Sequence, residues 1–296
     1  MALQSRCFEP SQDEVEALHQ LIVDCWQAYG PAVTFHIGDL HWRLRPQSGR
    51  SPERDIRLWY EAKTLQAFAW FDAPDSGDLL CHPEVERDVV EPVLLAWLEG
   101  EARLREASHF TVGAFSSDRV REELLIDRGY QKQSSFLHHL QRSLDAPIIA
   151  TTIADSYSIS TTTAADLSSL AIAIADAFGS EPKPVSTYEA LRSSRFYRND
   201  LDIVVKAANG EIVAFCLAWL DEHNQIGLLE PVGCHSGYQR LGLASAAVNV
   251  ALEALRVAGA RTAVVYPAGD EPAACKLYEK CGFIPVANDY DWEIAL

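Results

Sequence analysis

The residues from Gln239 to Ser245, within the segment HSGYQRLGLASAAV (235–248), have the composition of an anion-binding loop. An apolar segment, IGLLEPVGC, precedes them, and a run with apolar residues at helical spacing follows, which predicts a strand-to-helix turn. Gly242 and Ala244 allow a phosphate to approach the backbone closely. The first N–H groups of the following helix lack intrahelical partners, and the helix dipole adds positive potential. The chemistry expected of this turn is therefore the binding of a phosphate or pyrophosphate group.

A glycine-containing turn between a strand and a helix also occurs for purely structural reasons, so the turn alone does not define a function. The Rossmann pattern GxGxxG and the Walker pattern GxxxxGK[ST] do not occur here. If the turn binds an anion, the sequence therefore indicates a loop of a different kind.

Glu230 is a candidate catalytic base because it lies inside the apolar segment that precedes the turn. A carboxylate in such a segment is costly unless it is paired or functional. Burial raises its pKa towards the range that is useful for accepting a proton from an ammonium group, directly or through water. Period-two alternation places Glu230, Val232 and Cys234 on one face of the strand. Three alternatives stay open, namely a contact with a substrate, a structural pair with an arginine, and a position near the edge of the sheet.

A second pattern follows the predicted helix. The strand RTAVVY (261–266) leads to DEPAACKLYEKCGFIPV (270–286). Together with the turn, this sequence pattern resembles the GNAT N-acetyltransferase superfamily over residues 200–296. The residues that match the motifs of that family are Gln239, Gly242, Ala244, Ala274, Tyr278, Glu279, Gly282 and Phe283. Glu271 departs from the pattern, since the family usually has an asparagine there that contacts the pantetheine arm of the cofactor.

The resemblance implies a site for acetyl-coenzyme A. The loop that would hold its pyrophosphate consists of Gln239, Arg240, Leu241, Gly242, Leu243, Ala244 and Ser245. The backbone of Val232, Gly233 and Cys234 would bind the pantetheine arm, and an unpaired N–H group there would polarise the acetyl oxygen. Tyr278 occupies the family's position for a phenol beside the thioester sulfur, and a neutral phenol can protonate a leaving thiolate. The alternative for Tyr278 is a core tyrosine without a catalytic role.

Composition limits the class of protein and the kind of partner. With 296 residues, of which 48% are hydrophobic, the chain can form two domains with their own cores. A net charge of −17 argues against a nucleic acid or an anionic membrane as partner, and it favours a small amine, including a cationic one, as substrate. Neither the cysteines nor the histidines show metal-ligand spacing, which predicts that no metal is bound. The start MALQSRCFEP has no apolar signal segment, which predicts a cytoplasmic protein.

The two halves of the chain align with each other when one is shifted by 153 residues. His82 then falls on His235, and Gly129-Tyr130 falls on Gly282-Phe283. Between these points lie a helix, the strand HFTVGAF and a second helix, in the same order in both halves. A period of this length predicts a duplicated domain. The boundary is expected in the segment SLDAPIIATTIADS, which gives an N-terminal domain at 1–147 and a C-terminal domain at 148–296.

The N-terminal copy lacks the features of a cofactor loop. Glu86, Val89 and Glu91 stand where the C-terminal copy has Gln239, Gly242 and Ala244. The segment EVERDVVEP brings four acidic side chains to this place, where they would repel a pyrophosphate. The first domain is therefore predicted to bind no cofactor. It would serve as a structural partner that mimics the second protomer of a dimer, and it could also form a wall of the acceptor pocket. The protein is accordingly expected to be either a monomer that resembles a dimer or a homodimer.

The predicted fold class is α/β (α+β), with two tandem GNAT-like domains, each a twisted mixed sheet flanked by helices. In the second half, a hairpin with a type I′ turn is expected at Asn209-Gly210, and FIPVA and DYDWEIAL are expected as closing strands. The acceptor pocket is expected between residues 165–197 and a turn at 287–291. The predicted function is acetyl-coenzyme A-dependent transfer of an acetyl group to a small amine. The alternative is a cofactor-binding regulatory module without turnover.

Overall fold

The computed structural model describes residues 3–46, 50–72, 74–150 and 152–296, and within these ranges it contains twelve strands and nine α-helices. The N-terminal half comprises β1 (Gln4–Cys7), α1 (Gln12–Tyr29), α2 (Ile37–Leu44), α3 (Pro52–Asp55), β2 (Ile56–Glu61), β3 (Thr64–Asp72), β4 (Ser76–Cys81), α4 (Arg87–Leu104), β5 (His109–Phe115), α5 (Arg119–Asp127) and β6 (Gln131–Ser143). The C-terminal half comprises β7 (Tyr157–Thr161), α6 (Leu167–Ala177), α7 (Val185–Arg192), β8 (Asp202–Ala207), β9 (Ile212–Asp221), β10 (Ile226–Cys234), α8 (Leu243–Val257), β11 (Thr262–Val265), α9 (Pro272–Lys280) and β12 (Ile284–Ala295).

Local sequence explains where these elements begin. Ser11 caps α1 by accepting a hydrogen bond from the N–H of Glu14 at 3.3 Å. His36 and Asp39 form a reciprocal cap at the start of α2. The central strands β3 and β9 are buried almost throughout, which is the pattern of strands covered by helices on both faces.

All twelve strands form one sheet, in the order β1-β2-β3-β4-β5-β12-β6-β11-β10-β9-β8-β7. The last strand of each half pairs with strands of the other half. β12 lies between β5 and β6, with Trp292 opposite Val112, while β6 lies between β12 and β11, with Gln141 opposite Val264. The two halves therefore complete each other's sheet, and each depends on the other for backbone hydrogen bonds.

The predicted fold class is confirmed, because a large mixed α/β sheet with flanking helices is built from two halves. The halves have the same order of elements, except that the C-terminal half has a 3₁₀ turn (Asn199–Leu201) where the N-terminal half has α3. The division at residues 147 and 148 stays a prediction. The segment between the halves, after Ser143 and before Tyr157, contains no helix or strand among its described residues.

Two local predictions are wrong. FIPVA and DYDWEIAL do not form separate strands but one long strand, β12, whose pairing with β6 shifts register twice. The hairpin at Asn209-Gly210 does not have a type I′ turn, because only Gly210 has a positive φ, of 84°. The N–H of Ala207 donates to the carbonyl of Glu211, so the loop has three residues with glycine in the last, left-handed position.

The halves also share a hydrophobic core. Leu191, Leu217, Trp219 and Val264 from the C-terminal half belong to the same buried cluster as the apolar residues of α1, α2, β2 and β3. No helix among the described residues is long and apolar enough to cross a membrane.

Candidate active site

The predicted pyrophosphate loop lies at the N-terminus of α8. Gly242 is its N-cap, in the left-handed conformation at φ 80°, and Arg240 also has a positive φ, of 62°. The first intrahelical hydrogen bond of α8 joins the N–H of Ala246 to the carbonyl of Gly242 at 3.0 Å. The N–H groups of the preceding residues are thus the ones that a helix leaves for an external anion.

Open space surrounds this turn. Gln239, Arg240, Leu241 and Gly242 are exposed, and a Cβ placed on Gly242 would meet no atom within 4 Å. Leu243 is buried and anchors the helix, whereas Ala244 and Ser245 are half-buried. An accessible turn with small residues and free helix amides has the donor chemistry that a pyrophosphate requires.

The residues predicted to bind the pantetheine arm lie where two parallel strands diverge. β10 and β11 pair only from Ile226 to Leu228, whereas β10 continues to Cys234. On its other side β10 stays paired with β9, where Val232 lies opposite Cys216 and Gly233 opposite Phe215. One edge of residues 229–234 therefore lacks a strand partner among the described residues, and an extended group can pair there.

Gly233 is required by packing at this point. A Cβ on Gly233 would overlap the Phe215 ring and come within 2.9 Å of the Ala177 Cβ. A 3₁₀ turn (Ser236–Tyr238) follows β10, and Asp176 of α6 fixes it by accepting a hydrogen bond from the Ser236 hydroxyl at 2.9 Å. α6 thus positions the loop between β10 and α8.

Glu230 lies in β10 at an irregularity, since the pairing with β9 shifts register between Leu229 and Val232. Pro231 has no N–H group to donate to a ladder, which explains why the regular pairing stops there. Burial raises the pKa of the Glu230 carboxyl to about 8, Asp39 adds to the increase, and Arg45 opposes it. The protein therefore holds a weak acid at this position that is mostly protonated at pH 7 and half-ionised near pH 8.

Tyr278 lies on α9 and is 6% exposed, packed with Cys216, Leu243 and Cys281. Its ring contacts Phe283 edge-on, with the ring centroids 5.7 Å apart. Burial, followed by the charges of Cys216 and Glu230, raises the pKa of its hydroxyl well above the usual value. The phenol is therefore un-ionised at neutral pH, as a proton donor must be, although its packing also suits a core tyrosine.

A cavity of about 210 Å³ borders Glu230 and Pro231. Its other lining residues come from α6, from the segment before and within α7, and from α2, and they are Trp42, Arg45, Ala171, Ile174, Ala175, Phe178, Ser180, Glu181, Lys183 and Tyr188. The cavity is smaller than the roughly 300–1,000 Å³ typical of pockets for drug-sized ligands. It therefore suits a small molecule beside the carboxyl of Glu230.

Trp42 and Arg45 were not found by sequence reasoning, because they lie in the N-terminal half and belong to no motif. The expected pocket region 165–197 does line this cavity, but residues 287–291 do not. That segment lies within β12, where pairing with β5 and β6 keeps it extended rather than turned. Asp289 and Asp291 line a separate cavity with Asp39 and Asp78.

The corresponding turn in the N-terminal half has a different backbone. α4 begins at Arg87, whereas α8 begins at Leu243, which corresponds to Val90 after the shift of 153 residues. The residues that would form the loop are therefore the first turn of a helix, without the left-handed conformation of Arg240 and Gly242.

One of the four acidic residues of this segment, Glu91, acts differently from the prediction. Glu91 is fully buried and does not repel a ligand, because Arg121 donates to it at 2.9 and 3.1 Å and Arg87 at 2.7 Å. Arg87 also pairs with Asp118 at 2.5 Å. These ion pairs lower the pKa of Glu91 against the opposing effect of burial. Glu91 is thus neutralised internally by Arg87 and Arg121, whereas Glu84, Glu86 and Asp88 are exposed.

Among the described residues, no group of three or more His, Cys, Asp or Glu side chains is arranged to hold a metal ion.

Residues 169–283 match the model of the acetyltransferase (GNAT) family. No curated protein matches the sequence. Among solved structures, a tandem GNAT protein from the clavulanic acid biosynthesis pathway has a TM-score of 0.69 at 15% identity, with 99% of this chain and 98% of that chain covered. A GCN5-related N-acetyltransferase from Sphaerobacter thermophilus has a TM-score of 0.66 at 19% identity, with 99% and 95% covered. A GNAT-family acetyltransferase from Colwellia psychrerythraea has a TM-score of 0.64 at 14% identity, with 98% and 99% covered.

The chain as a whole thus has the tandem GNAT fold. The match to the family model lies in the C-terminal half. This match indicates an acetyltransferase-like domain in the C-terminal half.

Proposed function

We propose that the protein transfers the acetyl group of acetyl-coenzyme A to a small amine, in a single site formed by the C-terminal half. One observation carries the proposal. Glu230 lies in the strand whose unpaired edge leads to the open turn at Gly242, and it also lines a small cavity. A cofactor site and an acceptor site therefore meet at one carboxyl group.

The residues that would hold the cofactor are those whose geometry fits it. The turn from Gln239 to Ser245 supplies backbone N–H groups and helix dipole to a pyrophosphate, and residues 232–234 supply a strand edge. When bound, acetyl-coenzyme A supplies an activated acetyl group as a thioester. The overall transfer forms a C–N bond and breaks a C–S bond.

Glu230 and Tyr278 would move the protons of this transfer. An amine is mostly an ammonium ion at neutral pH and must lose a proton to become nucleophilic. Glu230, with a pKa of about 8, is a base of suitable strength next to the cavity. Tyr278 keeps its proton at neutral pH and is a candidate to protonate the departing sulfur.

The test is the release of free thiol from acetyl-coenzyme A across a panel of small amines, with mass spectrometry of the acetylated product. Acetylation of at least one amine, lost in Glu230→Gln, supports the proposal. Binding of acetyl-coenzyme A without acetylation of any amine in the panel contradicts it and favours a regulatory module. A cytoplasmic location, and the choice between monomer and homodimer, stay predictions that do not enter this test.

A further inference from the structure

We propose that Arg45, from the N-terminal half, binds a carboxylate of the acceptor, so that the substrates are amino acids or other small amines that carry a carboxylate. This inference rests on the proposed function. It assigns a carboxylate subsite to the cavity beside Glu230 and gives the N-terminal half a part in substrate selection.

Arg45 is the C-cap of α2, and its side chain lines the same cavity as Glu230. Its guanidinium lies over the Trp42 ring, with its central carbon 3.5 Å from the ring centroid. One terminal nitrogen donates to the Trp42 carbonyl, whereas the Nε atom is buried and has no hydrogen-bond partner. The side chain is thus held in place by Trp42, with donor capacity left over.

Two other poorly exposed arginines are neutralised by carboxylates, whereas the buried Arg142 donates to the Pro147 carbonyl. Arg43, two residues earlier in the last turn of α2, pairs with Asp72 and Asp78, and Arg121 pairs with Glu91. Arg45 forms no ion pair with any residue in the described part of the chain. Burial lowers the pKa of its guanidinium to about 10, and the charges of Tyr188 and Glu230 oppose this effect only in part. A charge in this situation is stabilised when an anion binds.

The remaining charges of the cavity favour an anion at the Arg45 end. Lys183 adds a second cation to the lining, and Glu181 is the only other acidic residue there besides Glu230 among the described residues. With a pKa of about 8, Glu230 is mostly uncharged at pH 7. An acceptor with an amine near Glu230 and a carboxylate on Arg45 matches both ends, and a guanidinium suits a carboxylate because it donates two parallel hydrogen bonds.

The experiment compares three acceptors of the same carbon skeleton: a free amino acid, its amide, and the amine without the carboxyl group. In the wild type, kcat/KM for the free acid should exceed that for the amide by about 10- to 100-fold, the effect typical of a charge-assisted hydrogen bond. Arg45→Gln should reduce this ratio to within about threefold, and Arg45→Lys should leave an intermediate value. Arg57→Gln, which removes an equal charge from the β1–β2 edge, is the control and should keep the full ratio.

Calorimetry with the free amino acid and its amide, without cofactor, provides a readout that does not need turnover. Tighter binding of the acid than of the amide, lost in folded Arg45→Gln, supports the subsite even if no acetylation occurs. Equal binding of acid and amide by the wild type, or an unchanged ratio in Arg45→Gln, overturns it. Acetylation of amines without any preference for a carboxylate would contradict the subsite alone and leave the proposed function standing.

Discussion

The indole N–H of Trp219 donates a hydrogen bond to the backbone carbonyl of Glu230 at 2.8 Å. Trp219 is almost fully buried in the core that joins the two halves, and α2 packs directly on it at Gly38. The irregular segment of β10 that carries the candidate base is therefore held by a residue whose position depends on the N-terminal half. The N-terminal half thus supports the strand that carries the candidate base, although its own turn before α4 is occupied by ion pairs.

Gly38→Ala should disturb this support. A Cβ at this position would lie 2.6 to 2.8 Å from three atoms of Trp219, so the helix or the indole has to move. We expect a loss of about 1–3 kcal/mol in the free energy of unfolding, as for other overpacked core positions. We also expect a lower kcat with nearly unchanged affinity for acetyl-coenzyme A.

Gly100→Ala is the matched control for this change. Gly100 lies inside α4 with no atom within 4 Å of an added Cβ, so alanine should stabilise the helix by up to about 1 kcal/mol. Chemical denaturation with steady-state kinetics measures both effects. Equal stability of Gly38→Ala and the wild type would show that Trp219 yields without cost.

The activity of the wild type should rise with pH through about 8. Burial raises the pKa of Glu230 in the folded protein, so the base form is the minor species below pH 8 and increases tenfold per unit of pH there. Glu230→Gln should lower kcat by about 10²–10⁴-fold and remove this limb of the profile.

Glu222→Gln, at a highly exposed site in the turn before β10, is the control and should leave the profile unchanged. The measurement is kcat/KM at saturating acetyl-coenzyme A from pH 6 to 9. A limb that persists in Glu230→Gln would assign the titration to the amine itself.

Tyr278→Phe should lower kcat by about 10²–10⁴-fold if the phenol supplies the proton to the leaving sulfur. The ring keeps its packing against Phe283, so the Kd for acetyl-coenzyme A should not change. A loss in kcat and kcat/KM together is the signature of an interaction made in the transition state. Tyr157→Phe, on β7, is the control; a Tyr278→Phe enzyme within threefold of the wild type would make Tyr278 a core residue only.

Much of the fold could be predicted from local sequence patterns. The strand HFTVGAF was predicted with its observed bounds, because apolar alternation and flanking turns define a strand locally. The exchange of β6 and β12 between the halves was not predicted, since both partners satisfy the same pattern and pairing is set by the whole sheet. In the candidate site, Gly242 could be predicted from its turn motif and Glu230 from its place in an apolar strand. Arg45 could not, because only the packing of α2 near α7 and β10 brings it to the cavity.

Asp289→Asn should stabilise the protein at high pH. Asp289 is 5% exposed, and burial raises the pKa of its carboxyl in the folded protein from 3.8 to about 7. The folded state therefore holds a proton that the unfolded chain releases near pH 4, and stability is lost as the pH rises from about 4 through 7. Asparagine avoids this loss, so the free energy of unfolding of the variant should exceed that of the wild type by about 1–3 kcal/mol at pH 8 and by much less at pH 5.

Asp127→Asn, at the exposed end of α5, is the control. Thermal denaturation at the two pH values measures the effect, and an equal effect of Asp289→Asn at both would contradict the expected ionisation.

Gly242→Glu should abolish binding of acetyl-coenzyme A, and the wild type should bind one molecule per chain. The substitution brings an anion to the turn that is expected to hold a pyrophosphate, and it also places a side chain in a backbone conformation, φ 80°, that only glycine adopts readily. Gly210→Glu separates the two effects, because Gly210 has φ 84° and equally open surroundings but lies in the β8–β9 hairpin. Both variants should lose similar stability, whereas only Gly242→Glu should lose the cofactor in calorimetry.

A stoichiometry of two would place a second site in the N-terminal half, where the turn is helical and Arg87, Glu91 and Arg121 neutralise one another. Retained binding in Gly242→Glu would remove the turn before α8 from the cofactor site, and with it the main support for the proposed reaction.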